Sequence, residues 1–305
     1  MYPVIRSRKE QVLEQKEFVL KNGAVLEYLT FPALSNIIEI EHAFSTRIGG
    51  VSKNEFATMN YSYIRGDNED CVTENYRRMA EVFGKDCSAY VTTDQTHTTN
   101  IHVVKTEDAG KGITIPRDYT DIDGLITNEK GLILSCFFAD CVPLYFVDMK
   151  KCVIGMAHSG WRGTVNQMGA CMVRKMQEVY NSDPADIIAC IGPSICQDCY
   201  EISEEVALQF REGFWAGEST KRFCEEAFTE GKYPRKDILI PGKANDKWQL
   251  DLWLANLAVL RSAGIPLENI SVTDICTCCN APYLFSHRAT NGKRGNLGAF
   301  LMIKG

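Results

Sequence analysis

The sequence predicts an α+β fold in which mixed β-sheets are flanked by helices within one compact domain. Strand-like and helix-like segments alternate along the 305 residues, and successive strands are joined by tight turns as well as by helices. A regular doubly wound fold uses helical crossovers throughout, so a mixed sheet fits this pattern better. The Gly-, Pro- and Lys-rich stretch 229–247 lacks the length and uniformity of a tether and is interpreted as a surface loop.

The N-terminal third predicts a hairpin, several strands and one helix. Segment 18–31 is typical of a hairpin, because Asn22-Gly23 can adopt the positive φ values of a tight turn. Segment 37–46 alternates apolar and polar residues as a half-buried strand does. A helix is expected between Asp70, as its N-cap, and Gly84, as its stop signal. Further strands are predicted at 89–95 and 101–105.

The remainder of the chain contains the most apolar segments. Three short buried strands are predicted at 132–138, 142–148 and 152–158. Val165, Met168, Met172, Met176 and Val179 follow at helical spacing. Later predictions are a strand at 186–192, a helix from Ser203, an amphipathic helix at 249–264 ended by Gly264 and Pro266, and strands at 268–275 and 298–304.

Composition points to a small-molecule partner. The chain is 45% hydrophobic, carries a formal net charge of −6 and has no Lys/Arg run, which argues against a nucleic-acid or anionic membrane surface. It contains no apolar run long enough for a transmembrane helix and no signal-like N-terminus. Thirteen cysteines, an odd count, then fit reduced thiols and a cytoplasmic location. The oligomeric state is not indicated.

Three polar residues beside apolar strands form a candidate metal site. His158 ends the strand 152–158, Cys141 follows Asp140 where another strand breaks, and His97 lies in a polar loop. Two histidines and a cysteine can bind Zn²⁺ and leave a coordination position open. Each residue alone is more often structural, and the spacing is irregular. Two alternatives stay open: a metal-free hydrolase with Cys141 as nucleophile and His158 as base, or a purely structural zinc.

The other histidines, cysteines and glycines allow further interpretations. His42 and His102 are expected to pack within strands, and His287 is undecided. The cysteines of "CQDC" (196–199) and "CTCC" (276–279) form a rival zinc site, disfavoured by tight spacing and distant pairs. Arg47 with Gly49-Gly50 can bind an anion, although a solvated surface turn explains the same residues.

Taken in order, several blocks identify a family. "FSTRIGGVS…MN", "QTH", "ADCVPLYF", "AHSGWRGT", "CIGPSICQDCYEI", "DICTCC" and "FSHRATNGKRG" resemble the polyphenol oxidase (laccase) domain family, which includes the peptidoglycan editing factor. The resemblance runs from about residue 42 to the C-terminus. It implies a single domain of this type over 1–305, with 1–41 as a less typical N-terminal hairpin segment.

The resemblance implies a metal and a reaction. In this family the corresponding residues bind zinc, which assigns His97, Cys141 and His158 as ligands. The implied activity is phosphorolysis of adenosine, inosine and S-methyl-5′-thioadenosine, with deamination of adenosine. Editing of peptidoglycan precursors and copper-dependent phenol oxidation are the alternatives. A multicopper cluster normally needs additional histidines, and the chain has only five.

Roles for further residues follow from these reactions. Arg47 is expected to bind phosphate with Arg288, and Asn60, which closes the same block as Arg47, is assigned to substrate or phosphate binding. Asp140 is the candidate proton shuttle, with orientation of a ligand as its alternative role. Arg162 beside Trp161 is expected to shape the pocket. Two departures from the family pattern, Thr98 and His287, concern base and ribose contacts rather than metal ligands.

Overall fold

A computed structural model describes residues 1–305 and contains three β-sheets and seven α-helices. The strands are β1 (Glu14–Val19), β2 (Val25–Thr30), β3 (Ile40–Ser45), β4 (Tyr90–Thr92), β5 (Ile101–Val103), β6 (Gly124–Thr127), β7 (Ile133–Phe138), β8 (Val142–Asp148), β9 (Val153–Ser159), β10 (Ile188–Ile191), β11 (Glu201–Ser203), β12 (Leu239–Pro241), β13 (Lys247–Leu250), β14 (Ile270–Val272) and β15 (Leu297–Ile303).

The helices fall mostly in the second half of the chain. The α-helices are α1 (Pro32–Ser35), α2 (Glu69–Val82), α3 (Trp161–Val165), α4 (Met168–Tyr180), α5 (Glu204–Gln209), α6 (Glu218–Thr229) and α7 (Leu252–Ser262). Short 3₁₀ turns are Asn54–Phe56, Tyr63–Arg65, Cys87–Ala89, Thr106–Asp108, Pro184–Asp186, Gln197–Cys199, Gly213–Ala216 and Leu267–Asn269. No helix has both the length and the apolar character needed to cross a membrane.

Two six-stranded sheets and one small sheet carry mixed strand directions. Their orders are β1-β2-β3-β15-β7-β4, β14-β10-β8-β9-β6-β5 and β11-β13-β12. Most neighbours are antiparallel, but β4/β7, β5/β6 and β10/β14 are parallel. The predicted α+β class with mixed sheets is therefore confirmed.

The two large sheets pack face to face, and helices cover their outer faces. Side chains alternate along β8: Tyr145 and Val147 enter the core between the sheets, whereas Leu144 and Phe146 enter the core beneath α4 and α7. The outer face of the first sheet packs on α2, through residues such as Tyr76. Since these central strands are buried on both faces, their sequences are continuous apolar runs rather than alternating ones.

The predicted N-terminal hairpin and the buried strands are confirmed, and the helix ends differ in instructive ways. Helix α2 is capped by Asn68, not Asp70: its side chain accepts from the backbone N–H groups of Asp70 and Cys71. The helix predicted from the helical spacing of Val165 to Val179 is confirmed from Met168 onward, as α4. Val165 belongs to α3, because Gln167 takes φ +58° and separates the two helices.

Two predictions in the last third need correction. The helix within 249–264 is shorter, since 249 and 250 end strand β13, and it is not amphipathic: nine of the eleven residues of α7 are buried. Helix α7 contacts α3, α4 and α6 as well as β10 and β14, so no side of it is left for polar residues. Stretch 229–247 is not wholly a loop, because it contains β12 and the first residue of β13.

Candidate metal centre

Strand pairing brings Cys141 beside His158. Cys141 immediately precedes β8, and His158 is the second-last residue of β9. The strands are antiparallel with Val142 opposite Ser159 and Pro143 opposite His158, so the beginning of β8 meets the end of β9. The predicted proximity of these two strand-end residues is thus produced by sheet register.

His97 reaches the same place from a loop between β4 and β5. One ligand atom each from His97, Cys141 and His158 lies within 4.8 Å of the others. The two imidazole ring centroids are also 4.8 Å apart. His97 has φ +66°, a left-handed conformation that is uncommon for a residue with a Cβ.

Asp123 positions both histidines and was not predicted from the sequence. It precedes β6, which pairs with β9, and its Oδ1 lies 2.7 Å from His158 Nδ1. Its Oδ2 accepts from the backbone N–H groups of Thr96 (3.0 Å) and Thr98 (2.9 Å), the residues on either side of His97. The only signal in the sequence was an acid directly before an apolar strand.

This carboxylate also determines which nitrogen of His158 is available. With Nδ1 bonded to Asp123, Nε2 is the nitrogen left to face a metal, an arrangement common among metal-binding histidines. Burial disfavours charge on His158, but the charge of Cys141 and the hydrogen bond to Asp123 outweigh it and raise the pKa to about 9. Burial and the neighbouring His158 lower the pKa of His97. Since a metal ligand must be unprotonated, metal and proton compete for the Nε2 atom of His158.

Gly160 packs closely against His97 and Cys141. A Cβ at this position would lie 2.9 Å from His97 Nδ1 and 3.0 Å from Cys141 Sγ. Any larger residue would push the two side chains out of place. The glycine of the "AHSGWRG" block is therefore needed for close approach to two of the three candidate ligands.

The donor set suits a transition metal with an open position. Two imidazoles and a thiol are ligands that Zn²⁺ binds tetrahedrally, and three protein ligands are typical of catalytic rather than structural zinc. A cavity of about 1080 Å³ adjoins all three residues. The structure thus contains a possible Cys/His metal site that faces a chamber large enough for a nucleoside-sized molecule.

The cavity wall is rich in aromatic and arginine side chains. Its aromatic lining includes Tyr61, Tyr63, Tyr76, Tyr119, Phe137, Trp161 and Tyr200. Its arginines are Arg65, Arg117, Arg162, Arg288 and Arg294. Flat apolar side chains suit a planar base, and guanidinium groups suit an anion.

Of the predicted binding residues, Arg162 and Arg288 line this cavity, whereas Arg47 and Asn60 do not. The guanidinium of Arg47 donates to the carbonyls of Ala57 and Ala281, and Asn60 is fully buried in hydrogen bonds around a turn. Arg288 is also occupied in part, because it donates to the carbonyls of Cys199 and Glu201.

Asp140 lines the cavity in a restrained conformation. Its φ is +85°, its Oδ1 accepts from Thr277 Oγ1 at 2.6 Å, and its Oδ2 accepts from the backbone N–H of Arg288 at 2.7 Å. Both oxygens are thus engaged in holding the chain next to Cys141. This geometry favours the orienting role over the proton-shuttle role, which stays a prediction.

Arg294 is a candidate anion ligand that the sequence analysis missed. It lines the cavity, is only 8% exposed, and has a buried Nε without a hydrogen-bond partner. Its Nη1 donates to the Gly295 carbonyl and to Asn296, and no carboxylate pairs with it. Burial, followed by the positive charge of Arg65, lowers its pKa to about 10. Such an uncompensated buried cation is stabilised when an anion enters.

The remaining histidines lie apart from the cluster. His42 Nε2 accepts from the backbone N–H of Phe31, and His102 is bonded to Asp108. Both predicted packing roles are consistent with these contacts. His287 lines the cavity near Arg294, 3.5 Å away. Only His97 and His158 join the three-residue metal group.

Comparison with known proteins gives the family. Residues 41–304 match the family described as multi-copper polyphenol oxidoreductase laccase. The chain belongs to this family. The match covers both large sheets from β3 onward, and it includes every candidate site residue named above.

Several similar proteins carry names of purine enzymes. The chain is 35% identical over 270 residues to "Purine nucleoside phosphorylase YlmD" of Bacillus subtilis, covering 87% of this chain and 89% of the relative. It is 31% identical over 267 residues to "Adenosine deaminase RL5" from an unknown prokaryotic organism, covering 86% and 93%. The crystal structure of YlmD from Geobacillus stearothermophilus superposes with a TM-score of 0.81 at 30% identity, covering 97% and 100%.

Proposed function

We propose that this protein is a purine nucleoside phosphorylase that cleaves adenosine, inosine and S-methyl-5′-thioadenosine with phosphate and also deaminates adenosine to inosine. The observation that carries the proposal is one aromatic, arginine-lined cavity with the His97/Cys141/His158 group in its wall. Relatives of similar length named for each activity support it. One domain over 1–305 and a cytoplasmic location belong to the same proposal.

The metal in this proposal is Zn²⁺, held by His97, Cys141 and His158. Its chemistry is that of a Lewis acid at the open coordination position. Copper is the less favoured alternative, because the structure gathers only two histidines and one cysteine at the site. Asp123 orients the His158 imidazole and holds the backbone on either side of His97.

For phosphorolysis, the protein must bind phosphate next to the ribose of the substrate. Charge accumulates on the ribose as its bond to the base weakens, and phosphate must approach the anomeric carbon. We assign phosphate to Arg294 together with Arg65 and Arg162, since none of the three has a carboxylate partner. This assignment replaces Arg47 and Asn60, which lie outside the cavity.

For the base, the aromatic lining provides stacking surfaces. The Arg162 guanidinium lies over the Trp161 ring, 4.3 Å from its centroid, at the beginning of α3. Deamination additionally needs a group that moves protons to the departing ammonia. Asp140 is the carboxylate nearest in sequence to a proposed ligand, and we retain it as the candidate.

The test is product analysis of zinc-loaded protein incubated with adenosine, with and without phosphate. We expect adenine and ribose 1-phosphate only when phosphate is present, and inosine in both incubations. Adenine with free ribose, in the absence of phosphate, would contradict phosphorolysis. Activity that survives complete removal of metal by a chelator would instead support the Cys141 thiol mechanism.

The Arg294→Gln variant separates the two reactions. Because deamination uses no phosphate, we expect it to persist, while the KM for phosphate rises by about tenfold or more from the loss of a charged contact. An equal loss of both reactions would contradict the assignment of phosphate to Arg294.

A further inference from the structure

Four cysteine sulfur atoms lie close together outside the cavity lining, in a group separate from His97, Cys141 and His158. The Sγ atoms of Cys196, Cys199, Cys276 and Cys279 all lie within 4.8 Å of one another. We call these four residues the thiol cluster. From the sequence this grouping was not favoured, because "CTCC" is tightly spaced and the two pairs are far apart. The structure uses only the outer two cysteines of that block, which makes both halves C-x-x-C pairs.

Sheet topology explains how pairs about 80 residues apart come together. Strands β10 and β14 are parallel neighbours, so the chain leaves both at the same edge of the sheet. The pairing continues beyond the strands: Ser194 bridges to Cys276, and the Thr277 N–H donates to the Ser194 carbonyl at 3.0 Å. Each C-x-x-C turn follows directly, and the two turns face each other.

The distances suit a metal better than a disulfide. Cys199 Sγ and Cys279 Sγ are 3.5 Å apart, whereas a disulfide bond measures about 2.05 Å. All thirteen cysteines are free thiols. A tetrahedron with metal–sulfur bonds of ~2.3 Å has edges of about 3.8 Å, within the range spanned by this cluster.

Backbone groups already point at the sulfur atoms. The N–H groups of Cys196 and Cys279 donate to Cys276 Sγ at 3.3 and 3.4 Å. Such donors stabilise a thiolate and fix its direction, as hydrogen bonds around metal ligands generally do. The fifth cysteine of the region, Cys278, is not one of the four and serves as a natural comparison.

We propose that the thiol cluster binds a structural Zn²⁺ through four cysteine thiolates. Four sulfur ligands complete the tetrahedral sphere, so this site has no position for substrate, in contrast to the site facing the cavity. Soft all-sulfur tetrahedral sites select zinc or iron over Mg²⁺, Ca²⁺ and Mn²⁺. The proposal does not depend on which reaction the cavity catalyses.

The bound ion would cross-link two segments that shape the cavity. Ile195 and Tyr200, which flank the first pair, line the cavity. Thr277, between the cysteines of the second pair, donates to Asp140, and the Cys199 carbonyl accepts from Arg288. The thiol cluster is therefore connected, through the hydrogen bond from Thr277, to the residue that precedes Cys141. Its role in this proposal is to position the segment that carries Cys141.

The deciding experiment uses the His97→Ala/His158→Ala double variant, which removes two cavity ligands and leaves the thiol cluster intact. After loading with Zn²⁺ and dialysis, we expect one zinc per chain, with an all-sulfur shell at about 2.3 Å by X-ray absorption. Loss of zinc from this variant, nitrogen or oxygen in the shell, iron in place of zinc, or oxidation of the cluster to disulfides would overturn the proposal.

Matched serine variants of the otherwise unchanged protein provide a second test. We expect the zinc content to fall from two ions to one per chain in Cys199→Ser and to stay at two in Cys278→Ser. Equal zinc content in the two variants would contradict the assignment. If Cys199→Ser fails to fold, X-ray absorption measured on the His97→Ala/His158→Ala variant still tests whether the thiol cluster binds zinc.

Discussion

Asp123 links the His158 imidazole to the loop that carries His97 through a single side chain. It is fully buried, and its two oxygens are divided between His158 and the loop that carries His97. Burial would raise its pKa, but the hydrogen bond from His158 and the charge of that residue outweigh burial and lower the pKa below the ordinary value. It is therefore suited to act as a carboxylate that orients ligands.

We expect Asp123→Asn to weaken zinc binding at this centre by about 10–100-fold, because an amide cannot replace both acceptor oxygens. Competition with a chelator of known affinity measures the change. Asp121→Asn is the matched control: it removes the same charge two residues away, from a position with φ +55° that asparagine tolerates. Equal affinities in the two variants would contradict the role of Asp123.

His42 makes folding stability depend on pH. It is 3% exposed, its Nε2 accepts from the Phe31 N–H at 2.7 Å, and burial lowers its pKa from 6.5 to about 3. Below pH 6.5 the unfolded chain therefore takes up a proton that the folded chain does not. Stability contributed by the neutral ring is complete above pH 6.5 and is lost as the pH falls toward 3.

Between pH 7.5 and 5, the free energy of unfolding should fall by about 2 kcal/mol more in the wild type than in His42→Gln, which has no titrating group there. Urea denaturation of both proteins at each pH measures the difference, and all other titrating groups are common to the two. Parallel stability curves would show that the pKa of His42 is the same in the folded and unfolded states, which would contradict the prediction.

At the scale of elements, the first turn of α2 illustrates what a cap contributes. Asn68 satisfies two backbone N–H groups with one oxygen, whereas Asp70, the predicted cap, lies inside the helix. We expect Asn68→Ala to lower the free energy of unfolding by about 1 kcal/mol. Asp70→Ala should cost about 0.5 kcal/mol or less, from its interaction with the helix dipole. The opposite order in urea denaturation would favour the original assignment.

Elements were predictable from the sequence where local pattern alone decides them. The hairpin at Asn22-Gly23 and the apolar strands β7, β8 and β9 follow from turn chemistry and continuous apolar runs. Helix α7 shows the limit. Its position was recognisable, but an amphipathic face was expected where the chain has none, because burial by neighbours on every side is a property of the assembled layers.

In the whole molecule, the alignment of neighbouring strands brings the residues of the candidate site together. Cys141 and His158 were singled out as residues at strand ends, but only the antiparallel alignment of β8 and β9 places them together. Asp123 enters through the next pairing, between β6 and β9. Arg294 was missed because the absence of a carboxylate partner is visible only in three dimensions.

The two metal sites proposed for the molecule lie in different parts of the fold. The cavity site combines loop and strand-end residues of the second sheet, whereas the thiol cluster closes the edge where β10 and β14 end. Asp140 connects the regions, since it precedes Cys141 and accepts from Thr277. Rigidity at the cluster is therefore expected to support precision at the cavity.

We propose that His97, Cys141 and His158 hold one metal ion with a coordination position facing the cavity. Anomalous X-ray diffraction at the zinc absorption edge, from crystals of the zinc-loaded protein, tests it most directly. We expect a peak within bonding distance of all three side chains and no protein ligand on the cavity side. The absence of a peak among them, or a further protein ligand enclosing the ion, would contradict the proposed metal centre.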